Sequence, residues 1–186
     1  MKIFYAGRIG SCLIASVLAS CSIGRQGNAL AYQDPVGDFV FNCYSINHAW
    51  GHQFSGFFIG HDGKVYRYVR RGLASKTDPI KQAYYQADEL LDQFKDKALI
   101  ALIDPSTMAA KTALIDRAAS GTVTHLNQRV ADAGQNGCVA YRFIADKNLY
   151  QPIELGSYGV TQIKTINSST AAQALLQWLL SIRPAN

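Results

Sequence analysis

The stretch Ser55–Arg70, SGFFIGHDGKVYRYVR, carries the pattern that decides the fold. Two runs rich in aromatic and β-branched residues, Ser55–Gly60 and Lys64–Arg70, are separated by the short turn sequence HDG. Residues of these types favour strands. Asp-Gly between apolar runs is a strong hairpin signal, and it predicts a type I′ turn, which needs positive φ at both central residues. The stretch therefore predicts two antiparallel strands.

Alternation along the second run assigns its side chains to two faces, because successive side chains of a strand point to opposite sides. The faces carry Val65, Arg67 and Val69 on one side, and Tyr66, Tyr68 and Arg70 on the other. Aromatic residues crowd this whole region; they are Tyr44, Trp50, Phe54, Phe57, Phe58, Tyr66 and Tyr68. On an open sheet such rings would stack on sugars or peptides. Under a layer of helices they would form core, which is the interpretation we favour.

Further strands and helices extend outward from this hairpin. The predicted strands are Gly37–Ile46, Cys138–Ala145, Leu149–Leu155 and Val160–Ile166, and the predicted helices are Ile80–Lys97, Pro105–Ala119 and Thr170–Ile182. The apolar run Ala98–Ile103 is either a buried strand or the start of a helix, because periodicity cannot separate the two. The sum is an α+β domain: an antiparallel sheet of about six strands, a central helical insertion and a C-terminal helix packed on the sheet.

The last helix has the clearest apolar stripe in the chain. Leu175, Trp178, Leu179 and Ile182 recur at helical spacing, and Pro184 follows the end of the pattern. We expect this helix to lie across the sheet and to bury Trp178.

Composition excludes some functional classes. The chain has 186 residues and a formal net charge of +5, with Arg70-Arg71 as its one basic doublet. A nucleic-acid-binding protein is expected to show a basic stripe, so we expect no nucleic-acid partner. No run reaches the 18 or more apolar residues typical of a membrane-spanning helix. We also expect no cofactor, because the glycines are scattered singly and form no phosphate-binding loop.

The N-terminus has the pattern of a secretory signal. Lys2 and Arg8 precede a short apolar run that ends in Leu18-Ala19-Ser20-Cys21. These last four residues resemble the lipobox of bacterial lipoproteins. The resemblance implies that residues 1–20 are removed as a signal peptide and that Cys21 carries a diacylglyceryl thioether. It further implies a cell-envelope protein attached to a membrane by lipid. Ser22 follows this cysteine, and a residue other than Asp at that position resembles the outer-membrane sorting pattern of Gram-negative lipoproteins.

The rest of the chain divides into a tether and one domain. Residues 21–34 are polar and show no periodic pattern of apolar residues, which is typical of a linker. Residues 35–186 are long enough for a single domain with a substantial core. This domain resembles uncharacterised bacterial secreted proteins that share an early Asp-Gly-Lys-Val-Tyr sequence and a final Ala-Ala-x-x-Leu-x-x-Trp-Leu helix. That resemblance implies no activity.

Two cysteines remain in the predicted domain, Cys43 and Cys138. In an oxidising compartment such a pair predicts a disulfide, and the alternative is two separate buried thiols. A disulfide requires Cα atoms within roughly 7 Å of each other. We therefore expect Cys43 and Cys138 to lie on neighbouring strands.

The residues His48, Trp50, His52 and His61 form the most distinctive segment of the predicted domain. Three imidazoles in so short a stretch are candidate metal ligands, but no acidic residue or cysteine lies at ligand spacing apart from Asp62 in the turn. Surface or turn histidines beside a buried Trp50 are the interpretation we favour, so we expect no metal. The segment is kept as a candidate binding site.

A catalytic alternative rests on the same segment. A cysteine followed by a histidine, here Cys43 with His52 or His125, resembles the catalytic pair of papain-like peptidoglycan hydrolases. The sequence from His52 to Lys64 is also loosely similar to the histidine-bearing strand of that family. The cysteine of those enzymes opens a helix and lies much further from its histidine, whereas Cys43 lies in a strand pattern. A disulfide would also remove the thiolate.

The sequence thus supports two hypotheses, and it assigns no catalytic residue. The first is a non-enzymatic lipoprotein whose domain binds an envelope protein or glycan. The alternative is a cell-wall or small-ester hydrolase that uses the His48–His61 segment.

Overall fold

The computed structural model describes residues 39–47, 53–71, 82–94, 96–126, 134–159 and 163–182. This part of the chain forms eight strands and four helices. In chain order they are β1 (Phe39–Asn47), β2 (Gln53–Gly60), β3 (Lys64–Arg71), α1 (Ala87–Gln93), β4 (Lys97–Leu102), α2 (Pro105–Thr112), α3 (Ile115–Ala119), β5 (Val123–His125), β6 (Gln135–Ile144), β7 (Leu149–Tyr158), β8 (Ile163–Asn167) and α4 (Thr170–Ser181). None of these helices has the length and apolarity needed to cross a bilayer.

All eight strands belong to one antiparallel sheet, in the order β4-β3-β2-β1-β6-β7-β8-β5. The predicted α+β class and antiparallel sheet are confirmed. The predicted count of about six strands is wrong, because β4 and β5 extend the sheet at its two edges. The apolar run Ala98–Ile103 lies mostly in β4, and five of the six β4 residues are exposed. It is an edge strand and not a buried one.

The hairpin between β2 and β3 forms where the sequence predicts it, but its turn is of a different type. Of the turn residues only Gly63 has positive φ, at 77°, and its N–H donates to Gly60 O at 3.0 Å. A turn followed by one left-handed residue is typical of a three-residue hairpin loop, so the predicted type I′ turn is wrong. Glycine is required at position 63 for a second reason, because a Cβ atom there would lie 2.4 Å from Ile103 O.

The central helices are shorter than the sequence pattern suggests. Tyr85 exchanges two backbone hydrogen bonds with Tyr150 of β7, at 2.8 and 2.9 Å, which holds this residue outside a helix. The helix α1 therefore begins at Ala87, behind a capping box formed by Gln86 and Glu89. The predicted helix Pro105–Ala119 is split into α2 and α3.

One face of the sheet, here called the helix face, packs beneath α2, α3 and α4. Its buried cluster is mainly aliphatic and includes Phe41, Ile59, Val65, Met108, Ile115, Leu155, Leu175 and Leu179. The two cysteines belong to the same cluster.

The opposite face, here called the aromatic face, packs beneath α1. Its buried cluster is made mostly of rings: Phe39, Tyr44, Phe54, Phe58, Tyr68, Tyr85, Phe94, Tyr141 and Tyr150. Tyr44 stacks on Phe54 with centroids 5.9 Å apart, and Phe54 stacks on Tyr68 at 5.5 Å. The described aromatic residues of the first three strands are therefore core, apart from Tyr66, which is half-buried.

The C-terminal helix docks on the sheet as predicted, with Leu175 and Leu179 fully buried. Trp178 is half-buried and packs against the helix-face cluster, so the expectation that the helix buries this residue holds only in part. Its ring and the ring of Phe41 meet in a T-shaped arrangement with centroids 5.2 Å apart, and Lys111 Nζ lies over the Trp178 ring, 5.4 Å from its centroid. At Trp178 the apolar stripe of α4 therefore lies at the boundary between core and solvent.

Candidate functional site

A disulfide crosses the middle of the sheet. Cys43 of β1 and Cys138 of β6 are directly paired in the antiparallel register, with Cα atoms 4.1 Å apart. The predicted pairing is confirmed. The bond lies on the helix face, where both cysteines are buried.

A cleft of about 160 Å³ opens on the sheet beside this disulfide. Strands β1, β2, β3, β6 and β7 line it, and Leu180 near the end of α4 borders it. Cys43 and Phe57 belong to the helix-face cluster, so alternation places Ser45, Ser55 and Arg67 on that same face. The cleft thus begins where the covering helix ends.

Arg67 is the one charged side chain that lines the cleft within the described part of the chain. The lining also includes Ser45, Ser55 and Tyr158, whose side chains carry hydroxyl groups. Ser45 and Ser55 are directly opposite each other in the β1–β2 register and are half-buried, whereas Arg67 is exposed. The described lining includes no Asp or Glu. The site is therefore positive and rich in hydroxyl donors.

This arrangement suits binding an anion. A guanidinium group presents a planar fork of donors that matches a carboxylate or phosphate in bidentate geometry. Within the described lining neither serine lies beside a histidine or carboxylate that would activate it as a nucleophile. Cys43 is held in the disulfide and supplies no thiolate.

The sequence-predicted site residues are placed elsewhere or lie outside the described part. His61 is exposed in the turn between β2 and β3, beside a shallow groove lined by Pro105 and Met108 of α2. His48, Trp50 and His52 lie outside the described residues, as does Cys21. His61 directly follows Gly60, the last residue of β2.

No group of three or more His, Cys, Asp and Glu side chains gathers as a possible metal site within the ranges that the structure describes. His61 is exposed beside Asp62, whose carboxylate already accepts from Lys64 N at 3.1 Å and pairs with Lys64 Nζ at 2.5 Å. These bonds hold the pKa of Asp62 below its ordinary value against the opposing effect of desolvation.

The aromatic face has a buried polar contact of its own. Tyr68 Oη donates to Asn42 Oδ1 at 2.9 Å, and both side chains are inaccessible to solvent or nearly so. Burial raises the pKa of Tyr68 well above its ordinary value, and the nearby Tyr141 adds to this, while the bond to Asn42 acts in the opposite direction. Tyr68 is thus a neutral structural donor and not an acid-base group.

A second polar chain crosses the strands β7 and β8. Ser157 Oγ and Thr165 Oγ1 are 2.8 Å apart, and Thr165 Oγ1 also donates to a carboxylate oxygen of Glu154. Ser157 and Thr165 are buried, so these hydrogen bonds satisfy hydroxyl groups that have little access to solvent.

Sequence reasoning missed the cleft residues, although one signal was available. The alternation that groups Arg67 with Val65 and Val69 predicts a cation on a face otherwise made of apolar residues. A charge in that position is unusual unless the face is locally open. The serines give no comparable signal, because only the β1–β2 register brings them together.

Comparison of the chain with family models, with curated proteins and with solved structures found no match. The geometry of the cleft and the pattern of the N-terminus are therefore the grounds for a functional proposal.

Proposed function

We propose that this protein is a lipoprotein of the bacterial cell envelope, attached to the outer membrane through lipid at Cys21. Its domain is non-enzymatic and binds another envelope component by a carboxylate group, which enters the cleft beside the disulfide. The lipobox resemblance at Leu18–Cys21 supports the attachment. The Cys43–Cys138 disulfide supports an oxidising compartment, because such bonds are rare in reducing ones.

The observation that carries the binding proposal is the charge of the cleft. Arg67 is the one charged side chain of its described lining, and no acidic side chain there opposes it. The hydroxyls of Ser45 and Ser55 can donate to the same ligand. A carboxylate fits this set because it accepts from a guanidinium in two places and still has lone pairs for hydroxyl donors.

Attachment is tested by the substitution Cys21→Ser. We expect the variant to leave the membrane fraction or to stay unprocessed, because each buried CH₂ of an acyl chain contributes about 0.8 kcal/mol to membrane binding. Fractionation followed by a high-salt wash measures this. A variant that stays in the membrane at the wild-type level and size would contradict the lipid anchor.

Binding is tested with a matched pair of probes, N-acetylglycylglycine and its C-terminal amide, which differ only in the carboxylate. NMR titration should show shifts at cleft residues with the free acid and much weaker shifts with the amide. Arg67→Ala should abolish the response, and Arg67→Lys should weaken it, because lysine keeps the charge but loses the fork. Arg117→Ala is the control, since Arg117 is exposed on α3 away from the cleft. Equal responses to both probes, or an unchanged response in Arg67→Ala, would exclude the carboxylate.

A further inference from the structure

The edge strand β4 combines an open backbone with exposed apolar side chains. It pairs with β3 on one side, and no other described strand lies along its outer side. Its sequence KALIAL contains no proline and a single charge, at Lys97. Leu102 is 73% exposed and Leu99 is 58% exposed, the two highest values among the exposed large apolar side chains of the described residues.

Such an edge is unusual in an isolated protein. An unpaired strand is a template for adding another strand, and natural proteins protect edges with short strands, prolines, bulges or inward-pointing charges. The other edge of this sheet follows that practice, because β5 has only three residues. The one irregularity of β4 is a register shift near Ile100, and it leaves both leucines exposed.

The two leucines lie on the same face of the sheet. Leu99 is paired with Tyr66 and Leu102 with Lys64, which alternate to the aromatic face of β3. Ile100 and Ile103 instead pack against the helix-face cluster. Ala98 is paired with Arg67 and so also belongs to the helix face.

This pattern is self-complementary in one antiparallel register. A two-fold axis between Ile100 and Ala101 places Leu99 opposite Leu102 of a second copy, and Ala98 opposite Ile103. Every such pair then joins residues of the same face, as antiparallel pairing requires. A register shifted by two residues places Leu99 opposite Ile100, which lie on different faces.

Charge also fits this register. It places Lys97, at the start of the strand, opposite Asp104 of the second copy, just beyond the strand's end. The contact would occur twice, once at each end of the paired strands. No like charges from β4 meet, because each strand carries only Lys97. Two-fold pairing of identical surfaces is the commonest form of protein oligomer.

We propose that two copies of this chain associate through β4, in antiparallel pairing about an axis between Ile100 and Ala101. The proposal does not depend on the cleft or its ligand. The association joins two eight-stranded sheets into one continuous sheet and covers Leu99 and Leu102 of both copies.

The first test is the oligomeric state of the purified full chain, in mild detergent, measured by sedimentation equilibrium over a concentration series. The wild type should show a monomer–dimer equilibrium. Leu102→Lys should raise the dissociation constant by at least about tenfold, because it places a charge in the apolar contact. Leu126→Lys is the matched control, since Leu126 is also exposed but lies next to β5. A wild type that stays monomeric throughout, or equal constants for the two variants, would overturn the proposal.

The second test reads the register directly by thiol cross-linking. The double variant Leu99→Cys with Leu102→Cys should give a disulfide-linked dimer under mild oxidation, because each new thiol faces one on the second copy. Ala98→Cys with Leu102→Cys is the control, with the same number of thiols on the same strand but none opposite another. Cross-linking of both variants to the same extent, or of neither, would overturn the proposed pairing. A strand donated by a different protein would leave the first variant uncross-linked.

Discussion

The two faces of the sheet are buried in different ways. The helix face carries mainly aliphatic side chains and is covered by three helices, whereas the aromatic face carries rings and is covered by the seven-residue α1. Rings reach across several strands, so Tyr44, Phe54 and Tyr68 stack in a row on the sheet itself. Aliphatic side chains need a second layer to fill the space above them. Large rings therefore allow one face to form a core with little helix.

The faces also differ in the polar groups that they bury. The central polar pair of the aromatic face is Tyr68 with Asn42, because a tyrosine ring brings a hydroxyl into the interior. The helix face instead carries a covalent bond, between Cys43 and Cys138. The stability of the aromatic face thus depends on a hydrogen bond, and that of the helix face depends on redox conditions. Variants at these residues can measure the two contributions separately.

The largest effect is expected from removing the disulfide on the helix face. Its cysteines are 95 residues apart, and closing a loop of this length contributes about 4–5 kcal/mol on the chain-entropy model, as an upper estimate. We expect denaturant unfolding to show that the double variant Cys43→Ala, Cys138→Ala has lost a large part of this stabilisation. Wild-type protein unfolded in the presence of a reductant should show a similar loss of stability. A midpoint within error of the oxidised wild type would show that the bond constrains the unfolded chain little.

A smaller effect is expected from Trp178→Ala, which tests how α4 covers the helix face. Truncating a buried Trp typically costs about 3–5 kcal/mol, and since Trp178 is half-buried we expect about 2 kcal/mol. Gln177→Ala, on the exposed side of the same turn, should stay within about 0.5 kcal/mol of the wild type. Urea unfolding measures both. Equal midpoints for the two variants would mean that this part of α4 does not dock.

The smallest effect is expected from Tyr68→Phe, which removes one hydroxyl from the aromatic face. The ring contacts stay, but Asn42 Oδ1 loses its donor, and we expect a loss of about 1 kcal/mol, at the low end of the cost of an unsatisfied buried polar group. The double variant with Asn42→Leu is the control, because removing both partners should cost less than the sum of the single losses. Additive losses would show that the hydrogen bond contributes nothing.

The same variant gives a pH dependence whose sign follows from the raised pKa of Tyr68. A group with a raised pKa in the folded state stabilises the fold below its unfolded pKa, which is about 10 for tyrosine. This contribution is lost as the pH rises through the folded value. The unfolding free energy of the wild type should therefore fall relative to Tyr68→Phe above about pH 10. Parallel pH profiles would contradict the buried, neutral state of Tyr68.

Local signals predicted those parts of the fold that depend on neighbouring residues. The β2–β3 hairpin and α4 were predictable because a turn and an apolar stripe are each contained in one short segment. The start of α1 was not, because Tyr85 is held by Tyr150, far along the chain. Of the two edge strands, β5 was missed, and for Ala98–Ile103 the sequence leaves a buried strand and the start of a helix both open. An apolar run such as KALIAL has no periodicity that separates an exposed edge from a buried strand.

The candidate site was less predictable than the fold. Arg67 could have been noticed from alternation alone, but Ser45, Ser55 and Tyr158 come together only through the pairing of four strands. The pairing of Cys43 with Cys138 was predictable as the one cysteine pair of the predicted domain, given the oxidising compartment that the N-terminal pattern predicts.

The position of the disulfide has a consequence for how the chain reaches its folded state. The strands β1–β4 come from one continuous segment and β5–β8 from another, and in the strand order of the described sheet these halves adjoin at the β1–β6 pairing. Three consecutive strands of each half, β1–β3 and β6–β8, can assemble from local hairpins, whereas the seam between the halves joins distant parts of the chain and forms slowly. Oxidation of Cys43 and Cys138 makes this late contact permanent. A chain kept reduced would thus lack this covalent link between its halves until it met oxidising conditions.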